Sequence, residues 1–363
     1  MGVQSTPEEP PQSGAALPWV DWDTTLRVAT SSAPIGPPVS LAERRQAVEQ
    51  LRASAERAPQ IVADASHLQP PARGEALIVD RAGFARANTD MMRQIWQGIG
   101  VEVRPRGPGL IPGIVRGGAV GKMIGLLSGH VLGQFNPLGS PPRLLLVAPS
   151  IMSTERRLGV DPGDFRLWVA LHEQTHRAQF QAAGWLTAWM LGRVRALIEA
   201  DADHESAVHG ALDHFAMLKH HRDSDDDVAL TMAEMLTTPS AAAVLEQVSG
   251  VMSLLEGHAD VMMDRAGPEV IASLATIRAR FDARRGRGGP QMIMLRALGM
   301  GAKLAQYREG AAFCHAVIDA ADNDDEGIEL LNRVLTSAAE MPSLHEIRQP
   351  DAWLARMGVD VHR

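Results

Sequence analysis

Cysteine and tyrosine are scarce in this sequence of 363 residues, which has one of each, at Cys314 and Tyr307. A single cysteine excludes a disulfide within the chain. It also excludes the zinc sites that are built from two or more thiolates. If the protein binds zinc, histidines and carboxylates must therefore supply the ligands.

An excess of basic residues is also missing, because 35 lysines and arginines stand against 43 aspartates and glutamates, for a net charge of −8. Phosphate backbones bind basic surfaces, so we expect no nucleic-acid partner. The short basic cluster at 278–287 is typical of a solvated helix end. The N-terminal residues MGVQSTPEEPPQSG lack the basic start and apolar core of a secretory signal. This favours a cytoplasmic protein.

The segment 113–135 has few charges and carries a glycine at every fourth position. On a helix these glycines form one smooth stripe, which lets a second backbone approach closely. Arg116, Lys122 and His130 interrupt the segment, so a membrane span is the weaker interpretation. We predict a buried helix with a tightly packed partner, and no membrane partner.

The overall composition, with 45% hydrophobic and 21% charged residues, is typical of a globular core. Residues 1–18 are rich in Pro, Glu, Ser and Gly and are predicted to be a disordered tail; residues 19–363 are predicted to form a single domain. Few segments look like strands, so the predicted fold class is mainly α (α+β), with a small sheet. Helical patterns cover 186–220, 228–236, 240–264, 268–284, 291–319 and 326–338.

Helix caps and a strand signal mark three further elements. Ser40 and Glu43 form a capping-box pattern, and the helix after it is predicted to run to about Ala58, where Pro59 follows. Residues 143–150 (RLLLVAPS) are the best strand candidate because a short apolar run is bounded by prolines.

A helix is predicted over 161–183, with Asp161 as its cap and Pro162 at its first position. It carries the sequence LHEQTH, in which His172 and His176 lie four residues apart and share a face. Glu173 follows the first histidine. This is the HExxH pattern of two zinc ligands and a general base; two surface histidines on an amphipathic helix are the alternative.

A catalytic zinc normally takes a third ligand from the protein. Gln179 and Ala182 stand where a metzincin would have glycine and histidine, which excludes that class. Two glutamates on later helices remain as candidates.

The two candidates are Glu199, followed by Asp203, and Glu256, followed by Asp260. In each pair the aspartate lies one turn later and could accept the second N–H of a ligand histidine. Glu256 is favoured because apolar residues surround it, and a buried carboxylate needs a partner. His258 is a rival ligand, but its offset of two residues places it on a different side of the helix.

Several long segments resemble a family of zincin-like hydrolases from actinobacteria and their relatives, often labelled zinc-dependent metalloproteases associated with deazaflavin-coenzyme biosynthesis. Phe135 and Gly184 depart from the pattern, where tyrosine and proline are expected. The matching segments are VDWDTTLRVA (20–29), VLGQFNP (131–137), RLLLVAPSI (143–151), DFRLWVALHEQTHRAQF (164–180), SLLEGHADVMMD (253–264), IRARFDARR (277–285) and KLAQYREGAAF (303–313).

The resemblance implies a zincin-like metallopeptidase fold in which a catalytic helix carries His172, Glu173 and His176, with the small sheet beside it. It also implies that the EGHAD segment completes the site, which supports Glu256 as the third ligand and the gluzincin type. The expected cofactor is Zn²⁺, and the expected partner is a peptide or small amide substrate. The oligomeric state is left open.

The predicted reaction is hydrolysis of an amide bond by a zinc-activated water, with Glu173 as the general base. Tyr307 is the first candidate to stabilise the oxyanion, ahead of His258 and His315. The strand at 143–149 could pair with an extended peptide. The alternatives are a hydrolase of a small-molecule amide or ester, and a zincin-like binding protein without activity.

Overall fold

The computed structural model describes residues 17–70, 75–100, 107–139, 141–202, 239–285 and 307–359. Residues 1–16 of the predicted tail lie outside these ranges. Leu17, by contrast, is buried, and Trp96 Nε1 donates a hydrogen bond to the carbonyl oxygen of Pro18. The prediction of one domain over 19–363 stays a prediction.

The described chain is mainly helical, as the composition and patterning predicted. Its helices are α1 (Trp22–Ser32), α2 (Leu41–Ser66), α3 (Arg81–Ile99), α4 (Leu110–Leu127), α5 (Ala148–Leu158), α6 (Pro162–Ala182), α7 (Leu186–Ala202), α8 (Pro239–Ala266), α9 (Leu274–Arg285), α10 (Tyr307–Asp319), α11 (Asp324–Asn332), α12 (Leu344–Arg348) and α13 (Pro350–Arg356), with short 3₁₀ turns at Gly107–Gly109 and Arg333–Leu335. The predicted helix at 228–236, and the segments 203–220 and 291–306 of two others, lie outside the described residues.

The sheet has three strands in the order β1-β3-β2: β1 (Ala76–Val79), β2 (Gly133–Asn136) and β3 (Arg143–Val147). The predicted strand at 143–150 is confirmed as β3, although α5 already begins at Ala148. β3 runs parallel to β1 and antiparallel to β2. It is therefore central, so the proposal that it pairs with an extended substrate is wrong. Both of its edges are already hydrogen-bonded, and β2 is the edge strand nearest the site.

The helix α6 begins as predicted: the side chain of Asp161 accepts a hydrogen bond from the backbone N–H of Asp164 at 2.9 Å, and Pro162 occupies the first turn. The helix is buried along most of its length, with Phe165 and Ala170 fully enclosed. It packs against α2 on one side and against the sheet on another. A helix buried so deeply can hold polar side chains at fixed positions.

The helix α2 has the predicted capping box at Ser40, but it runs on to Ser66, so the predicted end at about Ala58 is wrong. Pro59 lacks the N–H that would bond to the carbonyl of Ala55. Gln174 Nε2, from α6, donates to that carbonyl oxygen at 3.3 Å. A tertiary contact thus replaces the bond that the proline removes, which local sequence could not show.

The glycine stripe of α4 packs against α1, which confirms the prediction of a closely packed partner. A Cβ atom on Gly117 would lie 2.4 Å from the carbonyl oxygen of Asp21, and one on Gly121 would lie 2.4 Å from that of Thr25. The helix ends at Leu127, however, and Gly133, the last of the predicted stripe, belongs to β2. By length and composition alone α4 could cross a membrane, and the absence of a membrane partner stays a prediction.

Candidate metal centre

Three side chains from two helices meet at one point. His172 and His176 project from α6, and Glu256 projects from α8. The two histidine Nε2 atoms are 3.1 Å apart. The Glu256 carboxylate oxygens lie 3.5 Å from His172 Nε2 and 3.6 Å from His176 Nε2. The structure therefore brings together the three residues that were predicted as ligands.

This donor set fits a zinc ion. Four-coordinate zinc has bonds of about 2.1 Å to imidazole nitrogen and carboxylate oxygen, which sets its ligand atoms about 3.4 Å apart. The three separations given above are close to that value. Two imidazoles and one carboxylate are also a ligand set found in catalytic zinc sites, where the fourth position stays open.

The carboxylate of Glu256 is buried within an apolar stretch of α8. Its neighbours Leu254 and Leu255 are almost fully enclosed, and the exposed fraction of Glu256 is 8%. Burying a carboxylate is costly unless it is paired or coordinates a metal. The two imidazoles face it here, so the contact between α6 and α8 is polar at this point.

Glu173 lies beside the three ligand residues, against the edge strand β2. Burial raises the pKa of its carboxyl to about 7; the charge of Glu256 adds to this shift, and His176 and the backbone N–H of Phe135 offset part of it. Gly133 leaves room for the side chain, because a Cβ there would lie 2.5 Å from Glu173 Cγ. A carboxyl with a pKa near neutrality suits a general base.

Gln179 is a fully buried residue that links the two ligand helices, and the sequence interpretation assigned it no such role. Its Nε2 donates to the carbonyl oxygen of Leu255 at 2.8 Å and to Nδ1 of His258 at 3.0 Å. Its Oε1 lies 2.9 Å from Nδ1 of His176. Because both donors face other acceptors, Oε1 accepts from Nδ1–H of His176. The Nε2 lone pair of His176 is then directed at the site.

His258, the rival ligand, accepts from Gln179 and does not point at the three ligand atoms. Burial lowers its pKa to about 4; the nearby side chain of Asn332 offsets part of this shift and the charge of His176 adds to it. His258 is therefore neutral, with Nδ1 as an acceptor. The pKa of His176 shifts in the opposite direction. Burial lowers it, but the negative charges of Glu256 and Glu173 raise it by more, so that the net pKa is raised.

Comparison with known proteins identifies the family. A family model described as a zincin-like metallopeptidase matches residues 20–354. The chain belongs to this family. Membership implies a bound metal, usually zinc, which agrees with the donor set on α6 and α8.

One solved structure is similar to this chain over almost its whole length. It is the crystal structure of a "putative hydrolase with a novel fold" from Chloroflexus aurantiacus, which is 26% identical and superposes with a TM-score of 0.64. The match covers 94% of this chain and 99% of that one. No curated protein matches the chain.

The other predicted site residues of this zincin-like protein are less directly placed. Asp260 Oδ1 lies 3.1 Å from Arg278 Nη1, and its charge contributes to the raised pKa of His176. The prediction that Asp260 accepts a hydrogen bond from a ligand histidine stays a prediction. The oxyanion candidate His315 is exposed.

Two further predicted residues are only partly described. Tyr307 is the first residue of α10, but its side chain lies outside the described residues. The same holds for the side chain of Glu199 in α7, and Asp203 lies outside entirely. Roles for these residues stay predictions.

The zincin-like centre opens into a cavity of about 400 Å³. Its wall is formed by side chains of α3, α4, α6, α7, α8 and α9 and by β2. His172, Glu173, His176 and Glu256 all line it. The candidate ligand atoms and the Glu173 carboxyl therefore face a space that can hold a bound molecule.

Proposed function

We propose that this protein is a zinc-dependent hydrolase that cleaves an amide bond, with His172, His176 and Glu256 as the zinc ligands of a gluzincin-type site. The observation that carries the proposal is the convergence of three ligand atoms at zinc-like separations beside a buried carboxyl group. Family membership supports the metal and the reaction class.

When zinc is bound, it lowers the pKa of a water molecule towards about 7 and polarises a substrate carbonyl. The protein's own contribution to proton transfer is Glu173, whose pKa of about 7 lets it accept a proton and return it to the leaving amine. The N–H of Phe135 holds this carboxyl against β2. Tyr307 stays the first candidate for stabilising the oxyanion.

Two observations bear on the type of substrate. The edge strand β2 lies against α6. The backbone N–H of Val147 donates to the carbonyl oxygen of Leu132, and this register leaves the backbone groups of alternate β2 residues directed away from β3. This edge favours an extended peptide. The cavity favours the second candidate, a small-molecule amide or ester. An inactive binding protein is disfavoured because a binding site alone has no use for Glu173.

Replacing Glu173 with glutamine tests the reaction. The Glu173→Gln variant should keep zinc and lose turnover of fluorogenic acyl amides and peptides by at least about 100-fold, because removing a general base costs this much. Glu246→Gln, on the exposed start of α8, is the matched control and should behave as wild type. Unchanged turnover in Glu173→Gln would exclude the proposed mechanism.

Metal analysis tests the ligand set separately from the reaction. Zinc content should fall in Glu256→Ala and persist in Glu199→Ala and His258→Ala. Loss of zinc only in Glu199→Ala would show that the wrong glutamate has been assigned. A link to deazaflavin-coenzyme biosynthesis, and a cytoplasmic location, stay predictions.

A further inference from the structure

We infer that the substrate carries a large, uncharged apolar group next to the scissile bond, and that the cavity beside the metal centre holds this group. The inference rests on the proposed hydrolase function, because it takes the bond to be cleaved to lie at His172, His176 and Glu256. It goes further by naming the class of substrate.

The cavity wall is almost entirely apolar beyond the metal centre. Among the described residues that line it, the ionisable side chains are those of the metal centre itself. The apolar wall is made by helices α3, α4, α6, α7, α8 and α9 together with β2 and the residues around it: Phe84, Met91, Ile95, Ile124, Leu127, Val131, Leu132, Phe135, Pro137, Leu138, Trp168, Val169, Phe180, Met190, Leu191, Val194, Met252, Leu255 and Phe281.

The size and chemistry of this space discriminate between substrates. About 400 Å³ lies within the range of sites that bury small organic molecules. Each methylene group buried from water gains about 0.8 kcal/mol, which is about a fourfold increase in affinity. A charged group placed here would lose its hydration without a partner, at a far larger cost. The cavity therefore selects against charged side chains.

Away from the metal centre, the polar side chains of the described wall include Thr187 and a pair of carboxamides. Asn88 Nδ2 donates to Gln134 Oε1 at 2.8 Å and to the carbonyl oxygen of Phe84 at 3.1 Å. Within the described residues, Gln134 Nε2 donates to the thioether sulfur of Met91 at 3.6 Å, and such a sulfur is a weak acceptor. Gln134 can therefore donate to a neutral oxygen of the bound group, but the pair offers no charge to neutralise an ion.

Hydroxamic acids are suitable probes because they bind zinc while presenting an alkyl chain to the cavity. Two series are compared by calorimetry on the zinc-loaded protein, one with the chain on the carbonyl carbon and one with it on the nitrogen. The series whose chain enters the cavity should gain affinity with each added methylene, by about two- to fourfold, over chains of two to eight carbons. A terminal carboxylate on the longest chain should remove most of that gain.

A matched pair of variants locates the effect. Leu191 and Leu197 lie on the same helix, α7, and of these two Leu191 lines the cavity. Leu191→Trp should abolish the chain-length gain and leave the affinity for acetohydroxamate unchanged, while Leu197→Trp should preserve both. The short probe and a thermal melt of each variant show that the protein is folded and the metal centre intact.

The inference is overturned if affinity does not depend on chain length in either series, or if the carboxylated chain binds as tightly as the apolar one. Failure of the proposed function looks different. In that case the binding of acetohydroxamate and of every longer hydroxamate would not depend on zinc. An alkyl amide without a zinc-binding group would still bind in the cavity, with an affinity that rises with chain length.

Discussion

Two parts of α6 lie beside buried carboxylates, but the carboxylates are accommodated in opposite ways. Near its start, Arg166 forms two hydrogen bonds with the carboxylate of Glu155, at 2.5 and 3.0 Å. Both side chains are less than a tenth exposed. Near its middle, the carboxylates of Glu173 and Glu256 converge on two imidazoles that share one small space.

The difference separates a structural ion pair from a candidate reaction centre. The guanidinium of Arg166 matches both oxygens of Glu155, so that this pair has its charge and its hydrogen bonds satisfied within the protein. In the second cluster, burial and, to a smaller extent, the charge of Glu256 raise the pKa of Glu173, and three candidate ligand atoms lie around a common position. A divalent cation could bind at that position.

The largest expected effect comes from breaking the structural pair. Arg166→Met leaves the buried Glu155 without its guanidinium and should lower the free energy of unfolding by about 3–5 kcal/mol, as measured by urea denaturation. Adding Glu155→Leu should restore most of the loss, because no buried charge then remains. A single variant as stable as wild type would show that the two clusters do not differ in this way.

Removing a carboxylate from the second cluster should change zinc affinity strongly and the free energy of unfolding only weakly. Loss of a residue that only supports a metal ligand lowers metal affinity by about 10–100-fold. Glu256→Gln should lower zinc affinity by more than this, because it removes a proposed ligand. The metal-free protein should be destabilised far less than by Arg166→Met. Competition with a chelating dye and urea denaturation measure the two quantities. Similar stability losses in both variants would remove the distinction between the clusters.

Gln179 gives the third effect, because it orients His176 and also bonds to the backbone of α8. Gln179→Leu should weaken zinc binding by about 10–100-fold, and the visible spectrum of the cobalt-substituted protein should change. Gln181→Leu, at an exposed position of the same helix, is the control and should leave both unchanged. An unaltered cobalt spectrum in Gln179→Leu would show that the residue only fills space.

Of these variants, Gly133→Ala should change zinc binding least, and it should lower turnover without lowering zinc content. The added methyl group would overlap Glu173, which must shift away from β2 because the two cannot occupy the same space. Turnover should fall while zinc content stays that of wild type. Loss of zinc together with turnover would show that the strand supports the ligands and not the base.

Local signals predicted the elements that hold the site. The cap at Asp161, the proline after it and the spacing of His172 and His176 were enough to predict α6 and one face of it, because a helix is set by interactions within a few residues. The capping box at Ser40 was predicted for the same reason. The end of α2 was not, because Gln174 from another helix supplies the bond that Pro59 cannot make.

The sequence favoured one candidate for the third ligand but did not exclude the others. Apolar neighbours made Glu256 the better candidate, and the structure brings it to the two histidines. Gln179 could have been noticed from its position three residues after His176, on a neighbouring face of the same helix. Its partners on α8 could not, since they lie 76 and 79 residues away along the chain.

The amino-acid sequence by itself determined a mainly helical protein with a histidine pair and a base on one helix, because caps and helical periodicity act over a single turn or two. The tertiary structure alone decided that β3 is central and β2 is the edge, that Gly133 leaves space for Glu173, and that apolar side chains from separate helices surround the metal centre. These features depend on contacts between segments far apart in the chain, whose geometry is fixed only when the core packs.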